Sequence, residues 1–165
     1  MMKHTISVLV ENHSGVLSRI SGLFSRRGFN IDSLAVGVTE DPSISRMTIV
    51  VDGNDYTVEQ VEKQLNKLID VIKVRTIPSE ELVTRELVLV KVQVETSQRS
   101  EVMDLVKIMG GKIIDISRTT LTIEMTDTTA QIALLEDLLS PYRVVEVART
   151  GLIAVQKGAV TIHKK

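Results

Sequence analysis

ISVLVENHSGVLSRISGLFSRRGFN, residues 6–30, changes its apolar period in the middle. Up to Glu11 the apolar Ile6, Val8 and Val10 alternate with the polar Thr5, Ser7 and Glu11, the period of a half-buried strand, with Leu9 the exception on the polar side. From Gly15 to Arg27 the apolar residues are Val16, Leu17, Ile20, Leu23 and Phe24, three and four apart, which is one face of a helix. Gly28 is placed to end that helix in a left-handed turn. A strand therefore feeds a helix through ENHSG, a junction rich in exposed backbone N–H.

Reading outward, a second strand spans about Asn30 to Thr39, with Leu34, Val36 and Val38 on one side, and Asp41-Pro42-Ser43 is a turn. A third strand, SRMTIVVDG, groups Met47, Ile49 and Val51. A second helix carries Val58, Val61, Leu65, Leu68 and Ile69 on one face and the pair Glu59 and Lys63, four apart, on the other. A strand from Val71 to Ile77 stops at Pro78. The order is β-α-β-β-α-β, the ferredoxin-like unit in which two helices cover one face of a four-stranded sheet.

The pattern then repeats. Glu86 to Glu95 reads as a strand, Gln98 to Met109 as a helix, and a strand pair begins at Lys112 and continues through Leu121, Ile123 and Met125. Ile132 to Leu139 is helical and Val144 to Ala154 extended. Gly28-Phe29-Asn30-Ile31-Asp32 aligns with Gly111-Lys112-Ile113-Ile114-Asp115. The expectation is an α+β protein of two tandem ferredoxin-like βαββαβ domains, residues 1–77 and 86–165, joined by a linker at 78–85. Leu9, Ala35, Val50 and Ile72 fall on the sheet face away from the helices and are too apolar for bare water, which predicts pairing with a second copy.

Composition narrows the function. Of 165 residues, 43% are hydrophobic and 25% charged, a globular balance without the roughly 20-residue apolar run of a membrane span. The N-terminus turns polar at Glu11 and Asn12, too soon for a secretory signal, which predicts a cytoplasmic protein. Twenty basic residues against twenty-one acidic, with 2% aromatics, argue against a nucleic-acid partner. There are no cysteines and so no thiolate chemistry. The three histidines, His4, His13 and His163, have no companion ligands at metal-binding spacing, no phosphate-binding glycine loop occurs, and no serine has a recognisable base and acid. No catalytic residue and no metal site is expected.

The ENHSG junction is the candidate site. If Gly15 opens the helix, the N–H groups of about Gly15, Val16 and Leu17 lack helical acceptors and lie at the positive end of the helix dipole, where a carboxylate can dock. Gly15 has no side chain to block the approach. The amide oxygens of Asn12 and Asn30 could accept from an ammonium, with Leu17 and Ile31 as apolar lining. Those are the requirements of a small apolar amino acid. An equally good account has Ser14 capping the helix and Gly15 fitting a plain turn.

ENHSGVLSRISGLFSRRGFNIDSL, with DPSISRMTIVV and EQVEKQLNKLIDVIKV, and LVKV, GKIIDIS and VVEVARTG in the second half, resembles the small regulatory subunits of acetolactate synthase (acetohydroxyacid synthase), which begin with an ACT domain. The resemblance spans nearly the whole chain. It implies a non-catalytic partner of a large catalytic subunit that carries thiamine diphosphate, Mg²⁺ and FAD. It further implies activation of that subunit, feedback inhibition by valine in branched-chain amino-acid synthesis, and a homodimer of paired ACT domains. By the same resemblance valine lies between paired domains, against Asn12, His13, Ser14, Gly15, Val16 and Leu17 of one chain and Asn30 and Ile31 of the other. The second-domain counterpart, ETSQRS at 95–100, has no glycine. A free-standing ACT-type sensor of a different enzyme would carry the same residues.

Overall fold

The structure is a computed structural model and describes residues 2–163. The chain divides into two compact units, parting at Val83/Thr84 and again at Gly151/Leu152.

The first unit runs β1 (Met2–Glu11), α1 (Val16–Arg27), β2 (Ile31–Val38), β3 (Ile44–Gly53), α2 (Asp55–Leu65) and β4 (Val71–Ile77). Its strands lie in the order β2-β3-β1-β4, all neighbours antiparallel. Ile6, Val8 and Val10 of β1 and Met47, Ile49 and Val51 of β3 meet Val16, Ile20, Leu23 and Phe24 of α1 and Val58, Val61 and Leu65 of α2 in one buried cluster. Each fully buried Ile, Leu or Phe side chain contributes about 1.5–3 kcal/mol relative to exposure. Phe24 and Phe29 stack edge to face across the α1–β2 turn, ring centres 6.1 Å apart. Gly28 ends α1 at φ 69°, as expected of a C-terminal glycine.

Ile69 departs from the expected helical face and is 98% exposed. Helix α2 stops at Leu65, with Asn66 at its C-terminus, so the three-and-four spacing no longer holds at Ile69. Leu68 still packs on the core.

The second unit repeats the plan with β5 (Leu82–Gln93), α3 (Arg99–Ile108), β6 (Lys112–Ile116), β7 (Thr120–Asp127), α4 (Thr129–Leu138) and β8 (Arg143–Arg149) in the order β6-β7-β5-β8. Val88, Val90 and Val92 of β5 and Leu121, Ile123 and Met125 of β7 pack with Val102 and Val106 of α3 and Ile132 and Leu135 of α4.

Two boundaries differ from the sequence reading. The segment expected to be extended from Val144 to Ala154 breaks at 150–152, where Gly151 adopts φ 80°, and resumes as β9 (Ile153–Gln156), which pairs with β5. Residues 152–163 therefore pack with the first unit rather than the second. The reason is a set of anchors: Leu152 N–H donates to Ser33 Oγ at 3.0 Å, Arg46 Nη2 to Ala154 O at 2.8 Å and Arg75 Nη1 to Thr161 O at 2.6 Å, while Ala154 and Ile162 are buried. This strap lies over the face of the first sheet that the helices leave open. Leu9, Ala35 and Val50, which the sequence assigned to a second copy, are buried within the single chain, with Thr5, Ser7 and Thr48 beside them. Ile72, on edge strand β4, stays half exposed. Within the expected linker at 78–85, Ser79–Glu81 make one 3₁₀ turn and β5 begins at Leu82.

Candidate ligand-binding site

The β1–α1 junction is a braced loop. Asn12 N–H donates to Ser43 O at 2.8 Å, and Asn12 Nδ2 donates to Pro42 O at 2.8 Å. With its nitrogen engaged, the Asn12 amide presents its oxygen as a free acceptor. The Asp41-Pro42-Ser43 turn is itself held by the Asp41 carboxylate, which accepts from the Ser43 hydroxyl at 2.7 Å and the Ser43 N–H at 2.9 Å. Those two bonds hold the Asp41 carboxyl below its ordinary value, the hydroxyl bond contributing most. Their contribution is present above the ordinary carboxylate range and is lost as pH falls through the lowered value.

Gly15 is the N-cap of α1 at φ 89°, a left-handed conformation that disfavours any other residue. No side chain caps this helix, and its first turn holds no acidic residue. The account in which Ser14 caps is therefore incorrect; Ser14 is exposed and its carbonyl lies 3.1 Å from His13 Nδ1. Two other helices are closed by their own sequence. Asn54 accepts from Thr57 N–H at 2.9 Å at the start of α2, and Thr128 accepts from Gln131 N–H at 3.4 Å at the start of α4. The junction in the second unit is closed as well, since Glu95 and Gln98 form a reciprocal capping box ahead of α3. The uncapped start of α1 leaves donors able to receive a carboxylate.

Two residues that sequence reading missed hold the loop from beneath. The Asp70 side chain is only 13% exposed; His13 Nε2 lies 2.9 Å from its Oδ1, and Arg19 Nη1 donates to its Oδ2. Asp70 O also accepts from Glu11 N–H at 2.9 Å. Arg19 follows Gly15 by one helical turn, and its Nη2 stands 3.4 Å from where a Gly15 Cβ would project. The spacing of Gly15 and Arg19 was visible in the sequence. Asp70, fifty residues on in a turn, had no local signal. Asp70→Ala is expected to cost about 1 kcal/mol, a modest figure because His13 and Arg19 are half exposed, and to speed amide exchange at Asn12 to Leu17 selectively. Unchanged exchange in that loop would remove the bracing role.

The remaining predicted residues divide. Val16 turns its side chain into the core, so only its N–H faces the junction, whereas Leu17 is 48% exposed beside it. Asn30 and Ile31 are not near the loop in the same chain. Register places Ile31 opposite Val51 and Val38 opposite Ser45, while Val10, next to the loop, is also opposite Ser45. Asn30 thus sits at the far end of β2, about 23 Å from the loop by strand rise. It opens onto a cleft of about 930 Å³ lined by Arg27, Phe29, Asp52 and Asn54, and its side chain makes no hydrogen bond among the described residues. Ile31 packs partly on the core. Among the described residues no group of three His, Asp or Glu side chains could hold a metal ion, and no helix is long and apolar enough to cross a membrane.

Comparison with known proteins agrees with this architecture. Residues 6–73 match the model of the AHAS small subunit-like ACT domain, and residues 85–158 match that of the small subunit of acetolactate synthase. The chain is 52% identical over 157 residues to a probable acetolactate synthase small subunit of Archaeoglobus fulgidus, covering 95% of this chain and 98% of that one. It is 48% identical over 155 residues to the acetolactate synthase small subunit of Mycolicibacterium smegmatis, covering 94% and 91%. The crystal structure of an acetolactate synthase small subunit from Thermotoga maritima superposes with a TM-score of 0.91 at 42% identity, covering 97% of this chain and all of that one. On identity, coverage and fold together, the chain belongs to the family of acetolactate synthase small subunits, and its first unit is an ACT domain.

Proposed function

We propose that this chain is the regulatory, non-catalytic subunit of a cytoplasmic acetolactate synthase. It binds valine between paired ACT domains, raises the activity of a large subunit that carries thiamine diphosphate, Mg²⁺ and FAD, and makes that subunit sensitive to valine. The observation that supports this reading is the placement of two sets of candidate groups at opposite ends of β2. An uncapped anion seat and the Asn12 acceptor lie at one end of β2, and the unengaged Asn30 amide lies at the other.

β2 is an edge strand, and Val36 and Val38 on it are 49% and 66% exposed. An antiparallel, two-fold pairing of β2 with the β2 of a second copy brings each Asn30 to the other chain's loop. In that arrangement the valine carboxylate sits on the N–H groups at Gly15 to Leu17. Its ammonium donates to Asn12 and to the partner chain's asparagine, and its isopropyl group rests on Leu17 and Ile31. His13 and Ser14 shape the loop backbone. Feedback then requires valine to bind the inhibited arrangement more tightly than the active one, a coupling of typically about 1–3 kcal/mol.

Calorimetric titration of the purified chain with valine, with aspartate as control, tests the pocket; affinity capture of a thiamine-dependent synthase tests the partner. Asn30→Ala is expected to weaken valine by about tenfold or more through loss of one charge-assisted bond, with melting unchanged because the side chain is exposed. Unaltered affinity would remove its role as ammonium acceptor.

A further inference from the structure

Arg19 stands one helical turn into α1, and helical side chains lean toward the N-terminus, so its guanidinium reaches back over the start of the helix. One terminal nitrogen is occupied: Nη1 donates to Asp70 Oδ2, while His13 Nε2 lies 2.9 Å from the other Asp70 oxygen. The other terminal nitrogen is not. Nη2 stands 3.4 Å from where a Gly15 Cβ would project, and neither Nη2 nor Nε meets an acceptor among the described residues. A guanidinium carries five N–H groups in a planar fork and can serve two carboxylates at once. The Arg19 side chain is 54% exposed, so its spare donors are open to a ligand.

The second unit builds the same plan without this pair. Phe29 N–H donates to Phe24 O at 3.0 Å behind α1, and Gly111 N–H to Val106 O at 2.9 Å behind α3, so the two helices end alike. Counted back from those bonds, the place of Arg19 is taken by Glu101, an acid. The start of α3 is closed by the Glu95 and Gln98 capping box. The cation therefore accompanies the uncapped helix start and is missing where the start is closed.

We propose that Arg19 is a further binding residue of the β1–α1 site: its Nη2 donates to the carboxylate of the bound amino acid while Nη1 stays on Asp70. This rests on the reading of that junction as the valine seat. The ligand carboxylate then meets a charged donor as well as the backbone N–H groups. That charge-assisted bond makes a free carboxylate, rather than an amide or an ester, a condition of tight binding. Asp70 is a positioning residue in this arrangement. Its two oxygens are engaged by His13 and Arg19, which holds the guanidinium beside the seat.

Calorimetric titration of the full chain and two variants with valine tests this. Arg19→Gln and Asp70→Asn break the same ion pair, but only the first removes the donor. Arg19→Gln is expected to weaken valine about tenfold or more, the loss of one charge-assisted bond. Asp70→Asn is expected to weaken it by about threefold or less, since the broken pair is exposed on the arginine side and an asparagine oxygen still accepts. The loop also keeps the Asn12 bonds to Ser43 and Pro42, and one carboxylate fewer near the seat favours an anion. Equal losses in the two variants, or a larger loss in Asp70→Asn, would mean that Arg19 only braces the loop. Unchanged affinity in Arg19→Gln would mean that the guanidinium does not reach the ligand. Either result overturns the assignment while leaving the valine seat standing, whereas no valine uptake by the unaltered chain would overturn the seat and the assignment together.

Discussion

Gly15→Asp is expected to lower valine affinity by about 100-fold or more, through loss of one or more charge-assisted bonds and repulsion of the ligand carboxylate. The argument is local. Gly15 holds φ 89° at a helix start with no side-chain cap and no acidic residue in the first turn. Aspartate tolerates the left-handed region better than most residues, so the loop can keep its course. Its carboxylate then sits on the donors that valine needs, with the Arg19 guanidinium already near the Cβ position. Stability is expected to change by no more than about 1–2 kcal/mol, since a capping acid offsets part of the backbone strain. Activation of the catalytic subunit should persist while valine inhibition disappears. Gly15→Ala separates the contributions: it carries the strain without the charge, and a smaller loss of affinity is expected. If Gly15→Asp retained full valine sensitivity, the seat would not be at this helix start.

Ending the chain at Gly151 is expected to be the most damaging change to the fold. It strips the cover from Leu9, Ala35, Val50 and Ile77, all buried, and leaves Ser7 and Arg46 without the strap above them. Re-exposing several such side chains costs about 3–6 kcal/mol, which for a unit of this size lowers Tm by about 10 °C or more. The bared face is also a contiguous apolar surface of the kind that self-associates. Scanning calorimetry and light scattering on the truncated chain check both effects. Melting and solubility equal to those of the full chain would mean that the strap is not what seals this face.

The contrast between what was legible and what was not follows the range of each interaction. Period-two and three-and-four spacings are local, and they placed all four strands and both helices of the first unit, with Gly28 closing α1. The second unit followed because the same pattern recurs. Ile69 failed because a helical spacing continued on paper past Leu65, where the helix ends. The strap was missed because Val144 to Ala154 reads as one extended stretch despite Gly151 within it, while the anchors at Ser33, Arg46 and Arg75 lie far away in sequence. For the same reason the apolar open face was assigned to a second copy. At the junction, Asn12 to Gly15 form one loop and Val16 and Leu17 open α1, but Ser14 and Asn54 are alike in type and only the structure shows that one caps and the other does not. Asp70, which braces the loop, is joined to it only by the fold.

The central claim is that each valine site takes its loop from one chain and its asparagine from another, and mixed dimers test it most directly. Chains carrying Gly15→Asp and chains carrying Asn30→Ala are each expected to bind valine poorly alone. A mixed dimer pairs an intact loop from the Asn30→Ala chain with an intact Asn30 from the Gly15→Asp chain, so one of its two sites is whole. Titration of unfolded and co-refolded mixtures should recover tight valine binding at about half a site per mixed dimer chain, in line with the symmetry of a two-fold interface. If the mixtures bind no better than the separate variants while forming dimers normally, the site does not span two chains and the account is wrong.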